Sequence, residues 1–341
     1  MTLGATAGVR RPAGVGTSLS SVVALGGGTG LPAVLAGLRR FLPASCRITA
    51  IVTAADDGGS SGLLRREYGV PPPGDIRNCL AALARVAPEV SAALQYRFDT
   101  GTGPHPVGNL LLAALDMVAA DEVTAIRLAA ELLGVDDLVL PSTTARVHLV
   151  ADLADGRSIR GESAIRWSGA PVERVRIDPP GAAPAPGALD ALRAADALIL
   201  SPGSLYTSLL ATLAVPGLAS ALTNSPAVRI YVCNAMTEPG ETDGYGVGEH
   251  LRALAAHGVS PEALDYVVVS ASPIEARVRA RYAAEGASPV AADFVPSGAR
   301  PVIVRADVLE PGPIVRHAPD KLGSILCDLA ARHSRARPHD H

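Results

Sequence analysis

Residues able to do chemistry fall in short clusters, each at the end of an apolar run. Gly26-Gly27-Gly28-Thr29-Gly30 follows residues 21–25 (SVVAL) and precedes a helical pattern over residues 31–41. Glycines at such a join let the backbone turn tightly and bring its N–H groups close to a phosphate. The helix N-terminus adds partial positive charge there. Gly27, Gly28, Thr29 and Gly30 are therefore candidate phosphate contacts, with Thr29 able to donate its hydroxyl. The alternative is a turn that only packs the helix on the sheet. The motif is neither G-x-G-x-x-G nor a Walker A loop, since no Gly-Lys-Ser/Thr follows.

Asp56-Asp57-Gly58-Gly59-Ser60-Ser61-Gly62 follows a second apolar run, residues 48–54 (ITAIVTA). In parallel α/β sheets ligands sit at the carboxyl ends of strands. Two adjacent carboxylates in a glycine-rich loop there suit a magnesium bridging a pyrophosphate, so Asp56 and Asp57 are the candidate metal ligands. One of them could instead be a general base. Ser60 and Ser61 stand beside them as candidate ligand contacts. The plainer account is a helix N-cap and a solvated turn.

Pro73-Gly74-Asp75-Ile76-Arg77-Asn78-Cys79 opens a further helical pattern. Asp75 is a good N-cap, but Arg77 then falls in the first turn, against the helix dipole. A local rule broken without evident gain marks Asp75, Arg77 and Asn78 as site candidates.

These clusters need a sheet to position them. The two apolar runs alternate with helical patterns at residues 31–41, 76–86, 108–120 and 122–133, through short glycine-rich joins. That order predicts an α/β fold, a mostly parallel sheet with helices on both faces. Residues 145–178 change character. Segments 146–152 and 158–166 alternate around the hairpin pair Asp155-Gly156, and 172–177 (VERVRI) alternates too, so a small antiparallel insertion is expected. Strands resume at 197–200, 228–233 and 266–270, and a last helix is expected over 319–331. Residues 1–20 and 333–341 read as flexible tails.

Composition narrows the class. A chain of 341 residues can bury a core without disulfides or structural metal. Only 3% of it is aromatic, so the core must be built from Ala, Val, Leu and Ile. The most apolar stretch, 108–120, is interrupted by Asp116 and falls far short of the ~20 residues a spanning helix needs, so no membrane span is expected. The formal net charge is -3 with no basic cluster, which argues against a nucleic-acid partner. Cys46, Cys79, Cys233 and Cys327 form no C-x-x-C, so neither a zinc knuckle nor a disulfide framework is indicated and a reduced cytoplasm is expected. No redox cofactor is expected either. The glycine loop departs from the dinucleotide fingerprint, and a glycine-flanked Asp pair replaces the acidic residue of a nicotinamide site.

The stretches LGGGTGLPAVLAGLR, ITAIVTAADDGGSSGLLRREYGVPPPGDIRNCLAAL and HPVGNLLLAAL resemble the YvcK family of gluconeogenesis factors, within the CofD-like superfamily. LILSPGSLYTSLLATL and YVCNAMTEPGETDGY extend the resemblance, which covers about residues 21–332. It implies a single Rossmann-like α/β domain over that span in a cytoplasmic bacterial protein. It also implies binding of a UDP-sugar such as UDP-N-acetylglucosamine, in support of cell shape and wall synthesis during gluconeogenic growth. A homo-oligomer and wall-synthesis proteins are the candidate partners. The CofD branch implies instead a magnesium-dependent transferase, which moves a phospholactyl-type group from a guanosine diphosphate donor to the deazaflavin precursor Fo. Asp57 would then be catalytic. The CofD pattern is similar to DD-x-W-x-x-G; the Asp pair is shared here and the tryptophan is absent, which favours the YvcK branch.

Further candidates follow from the resemblance. Gly108 and Asn109, in His105-Pro106-Val107-Gly108-Asn109, become a pocket wall. Ser201-Pro202-Gly203-Ser204-Leu205-Tyr206-Thr207-Ser208 is a second strand-turn-helix join, where CofD holds its nucleotide diphosphate. Gly203, Ser204 and Thr207 are thus candidates for the pyrophosphate or sugar. Asn234, Thr237 and Glu238 follow the strand RIYVC and could hydrogen-bond ribose or sugar hydroxyls. Arg316 could reach a phosphate, within Val315-Arg316-His317-Ala318-Pro319-Asp320-Lys321-Leu322. Ala318 stands there where the family's closing R-H-D-P-x-K-L has an Asp.

Overall fold

The computed structural model describes residues 19–98, 103 and 105–336. Its strands, in chain order, are β1 (Ser21–Gly26), β2 (Arg47–Val52), β3 (Leu138–Pro141), β4 (His148–Leu153), β5 (Ser158–Arg160), β6 (Val172–Asp178), β7 (Ala197–Leu200), β8 (Val228–Val232), β9 (Tyr266–Ser270) and β10 (Val302–Ala306). Seven of them form one sheet in the order β10-β9-β8-β7-β1-β2-β3, every neighbouring pair parallel. The other three form the antiparallel sheet β5-β4-β6. Both expected sheets are present.

The apolar runs of β1 and β2 lack alternation because both faces of a parallel sheet are covered. Successive side chains still point to opposite faces. Val22, Ala24, Ile48 and Ala50 enter one core, and Val23, Leu25 and Ile51 enter the other. Helix α1 (Gly30–Phe41) buries Leu31, Val34, Leu35 and Leu38, one face at helical spacing. It crosses the last helix, Pro319–Ala336, at glycine: a Cβ on Gly37 would stand 2.3 Å from the Pro319 carbonyl oxygen.

Strand order reverses at β1. The chain runs outward through β2 and β3 on one side, and later through β7 to β10 on the other. The crevice at the carboxyl ends of β1 and β7 is thus the topological switch point, the place where open α/β sheets bind ligands.

Several local expectations are corrected. Helix α2 (Gly59–Tyr68) starts inside the Asp-Asp-Gly-Gly-Ser-Ser-Gly segment, which is a helix N-terminus and not an extended glycine loop. Helix α3 (Gly74–Leu83) has Pro73 at its cap position; Asp75 lies in the first turn and caps nothing there. Helices α4 (Pro88–Gln95), α5 (Val107–Val118) and α6 (Glu122–Leu132) follow, of which α4 was not anticipated. Strand β5 stops at Arg160 because Gly161 takes φ +101°, and Glu162–Ile165 makes a short helical turn where strand was expected. The short strand β3 and the sheet-edge strand β10 also escaped the sequence pattern. The last helix runs on to Ala336, and Leu19 is buried, so order extends beyond residues 21–332 at both ends. The rest of both expected tails lies outside the described residues. Among the described residues no single helix is long and apolar enough to cross a membrane.

Candidate functional site

The joins after β1 and β7 pack backbone to backbone. A Cβ on Gly30 would stand 1.9 Å from the Pro202 carbonyl oxygen, and one on Gly26 would stand 2.1 Å from Ser201 Oγ. Side chains are excluded because the two turns touch. Asn234, at the end of β8, clamps the second turn: Gly203 N donates to Asn234 Oδ1 at 3.0 Å, and Asn234 Nδ2 donates to Gly203 O at 2.7 Å.

Beside these turns opens a cleft of about 400 Å³. Of the sequence candidates it is lined by Thr29, Gly30, Gly203, Asn234, Thr237, Glu238 and Arg316. The N-terminus of α1 faces it at Thr29 and Gly30, an anion-binding arrangement. The exposed Arg316, from the segment that precedes the last helix, lines the same cleft. Glu238 accepts Ser204 Oγ at 2.7 Å, and burial raises its carboxyl above the usual range. Thr237 is bonded to Ser288. His317 also lines the cleft; its buried Nε2 has no hydrogen-bond partner among the described residues, and burial lowers its pKa to about 4. It is therefore neutral near pH 7 and able to donate to a ligand or accept from one.

On the other side of the glycine turn lies a carboxyl cluster. Asp75 Oδ2 accepts the Gly28 amide at 2.8 Å, and a Cβ on Gly27 would stand 2.5 Å from that same oxygen. Asp56 accepts Gly58 N, and Ser61 Oγ accepts Gly74 N. Thr207 is buried, donating to Glu241 Oε1 at 2.9 Å, so it faces this cluster and not the cleft. Burial, with mutual repulsion, raises Asp75 to about 6, Glu241 to about 7 and Glu162 to about 9. Burial also raises Asp56.

Asp56 and Asp57 diverge. Asp57 Oδ1 accepts both the backbone N and the Oγ of Ser163 at 2.9 Å, tying the start of α2 to the antiparallel insertion. Among the described residues no three His, Cys, Asp or Glu side chains group as a metal site. Each carboxylate of the pair is engaged within the protein, Asp56 by Gly58 N and Asp57 by Ser163.

A third group is a buried polar network. Arg77 Nη1 donates to Asn109 Oδ1 at 2.6 Å, and Arg77 Nη2 donates to Asn78 Oδ1 at 2.8 Å. Asn109 Nδ2 donates to Ser60 Oγ, which also bonds His105 Nδ1. Gly108 lacks a side chain because a Cβ would stand 2.8 Å from Arg77 Cγ. The misplaced arginine is thus held by Asn109 of α5 and Asn78 of α3, while its buried Nε has no hydrogen-bond partner among the described residues. None of Ser60, Arg77, Asn78, Gly108 and Asn109 lines the cleft.

Glu162, Glu241 and His317 were missed as site residues. Glu162 carries no local signal, since the insertion brings it in from far along the chain. Glu241 and His317 lie within motifs already noted, next to the residues chosen.

A glycine-built switch point, a cleft under it and an antiparallel insertion define a CofD-like α/β protein. The CofD family, described as 2-phospho-L-lactate transferase CofD, matches residues 22–308. The chain is 42% identical to the gluconeogenesis factor of Halalkalibacterium halodurans, over 92% of this chain and 98% of that one. It is also 42% identical to the gluconeogenesis factor of Bacillus subtilis, over 90% of this chain and 97% of that one. A crystal structure of a upf0052 family protein from Bacillus halodurans is 39% identical and covers 90% of this chain and 98% of its own, with a TM-score of 0.84. The chain belongs to the YvcK family of gluconeogenesis factors, within the CofD-like superfamily.

Proposed function

We propose that the chain is a cytoplasmic regulatory protein that binds a UDP-sugar, of the UDP-N-acetylglucosamine type, and signals its level to wall synthesis during gluconeogenic growth. The observation that carries this reading is the cleft, whose lining includes the α1 N-terminus, Arg316, Asn234, Thr237 and Glu238. The helix N-terminus and Arg316 suit a pyrophosphate. Asn234 clamps the turn through both ends of its amide, while the Thr237 hydroxyl, which accepts from Ser288, can still donate to a sugar or ribose hydroxyl and the Glu238 oxygen not bonded to Ser204 can accept from one. The neutral His317 can join them. Gly28, Gly203 and Ser204 shape the turns, because their polar groups are already bonded to Asp75, Asn234 and Glu238.

The second reading is a CofD-type transferase. It rests on the family match and on the carboxyl cluster beside the cleft, where Asp56, Asp75, Glu162 and Glu241 could face an acceptor. A thermal-shift screen of UDP-N-acetylglucosamine, GDP and NAD, with and without magnesium, separates the two when paired with an assay of phospholactyl transfer to Fo. A ligand at 100 times its Kd adds ~2.7 kcal/mol of stability. The regulatory reading expects the largest shift with the UDP-sugar and no turnover of Fo. Turnover of Fo by the wild-type chain, lost in Asp56→Ala, overturns it.

A further inference from the structure

We propose that a second cavity, apart from the cleft, binds a compact oxyanion of the phosphomonoester class through Arg65 and Arg146. The cavity holds about 230 Å³ and lies between the end of α2, the Val70-Pro71-Pro72 turn and the chain entering β4. None of its lining residues lines the cleft.

Its polar walls are unbalanced. Arg65 Nη2 donates to the Val147 carbonyl, which fixes the guanidinium. Its Nη1 is buried and has no hydrogen-bond partner among the described residues. A buried donor left unpaired is costly and rare, so a guanidinium held in this way calls for an acceptor. Arg146 lines the same cavity, with Nη2 3.3 Å from where a Cβ on Gly69 would stand, so the bare glycine leaves that guanidinium its room. His148 and the Thr144 hydroxyl complete the rim.

The nearby acids leave this donor unpaired. Asp57 and Asp56 act on Arg65 through space, but neither is hydrogen-bonded to its Nη1; Asp57 is held by Ser163, and Asp178, beside His148, is paired with Arg160. Glu122 lines the cavity, but burial raises it to about 8, so it is mostly protonated near neutral pH and can itself donate. Asp116, which interacts with Arg146, is a further counter-charge. Two guanidinium forks suit the tetrahedral oxygens of a phosphoryl group. The space exceeds a lone water but is smaller than the cleft, which fits a phosphorylated sugar or polyol better than a nucleotide.

The test is calorimetry on the full chain with inorganic phosphate and, separately, glucose 6-phosphate. Each is repeated with the cleft saturated by UDP-N-acetylglucosamine. We expect one binding site for at least one anion, undisturbed by the nucleotide sugar, and weakening of about tenfold or more in Arg146→Met. Arg146 is exposed, so this variant should fold, and an unchanged melting temperature checks that. Arg65→Lys, which keeps the charge and loses the fork, should weaken binding too. Binding of the ester alone or of both anions supports the proposal. No binding of either anion, full-strength binding by Arg146→Met, or displacement by the nucleotide sugar overturns it. Because Arg146 lies outside the cleft, the Arg146→Met comparison stands whether or not the nucleotide-sugar reading holds.

Discussion

The Gly28 amide donates to Asp75 Oδ2 at 2.8 Å, joining the turn after β1 to the first turn of α3 across 47 residues. An amide placed to meet a phosphate is already held by a carboxylate, so the turn is set before any ligand arrives. Thr29 and Gly30, at the start of α1, are left to face the cleft.

Removing that carboxylate should loosen the turn. Asp75→Ala is expected to lower unfolding stability by about 1–2 kcal/mol and to weaken UDP-sugar binding several-fold. Asp75→Asn keeps an acceptor and should recover most of both. Chemical denaturation and calorimetry on the two variants check this; equal losses in both would reject the bond's role.

The backbone contact between the two turns gives a sharper steric test. A Cβ at position 30 meets the Pro202 carbonyl oxygen at 1.9 Å, and neither partner is a flexible side chain. Gly30→Ala should therefore cost about 1–3 kcal/mol, in the range of overpacking, and should abolish binding in the cleft. Circular dichroism melting with a binding titration measures both.

Asp56 and Asp57, adjacent in sequence, should behave differently. Asp57→Ala removes both bonds to Ser163 and should cost about 1 kcal/mol, with faster proteolysis within residues 154–171. Asp56→Ala should leave the insertion protected. Limited proteolysis distinguishes them.

The carboxyl cluster sets a pH dependence. Glu162, Glu241 and Asp75 have folded-state pKa values raised to about 9, 7 and 6, above the ordinary carboxyl range. The folded state therefore binds more protons than the unfolded one through this interval, so their contribution is present at acid pH and lost as pH rises. The unliganded protein should melt at lower temperature as pH goes from about 5 to about 9, and Glu162→Gln should flatten that decline. A melting temperature that climbs over this range in the wild type, with no change in slope on substitution, contradicts it.

The sheet was legible because SVVAL, ITAIVTA and their successors are buried parallel strands followed by glycine turns, a pattern local enough to read. The cleft's near wall was legible for the same reason: Thr29, Gly30, Gly203 and Asn234 all follow strands at their carboxyl ends. What escaped depends on long-range placement. Nothing near Asp57 indicates that it will hold Ser163, and nothing near Arg77 indicates Asn109 as its partner. Helix α2 was missed because two glycines and two serines are weak helix formers. Packing of Ser60, Ser61 and Leu64 in the interior overrides that propensity.

In the proposed function the cleft holds a nucleotide sugar by its pyrophosphate, with the α1 N-terminus and Arg316 in its lining. Calorimetric titration with UDP-N-acetylglucosamine and with free N-acetylglucosamine, on the wild type and on Arg316→Ala, tests it most directly. Arg316 is exposed, so its loss should not disturb folding. We predict saturable binding of the UDP-sugar, no binding of the free sugar, and a loss of about tenfold or more in Arg316→Ala, the scale of a charge-assisted hydrogen bond. Equal binding of the free sugar, or unchanged affinity in Arg316→Ala, would contradict it.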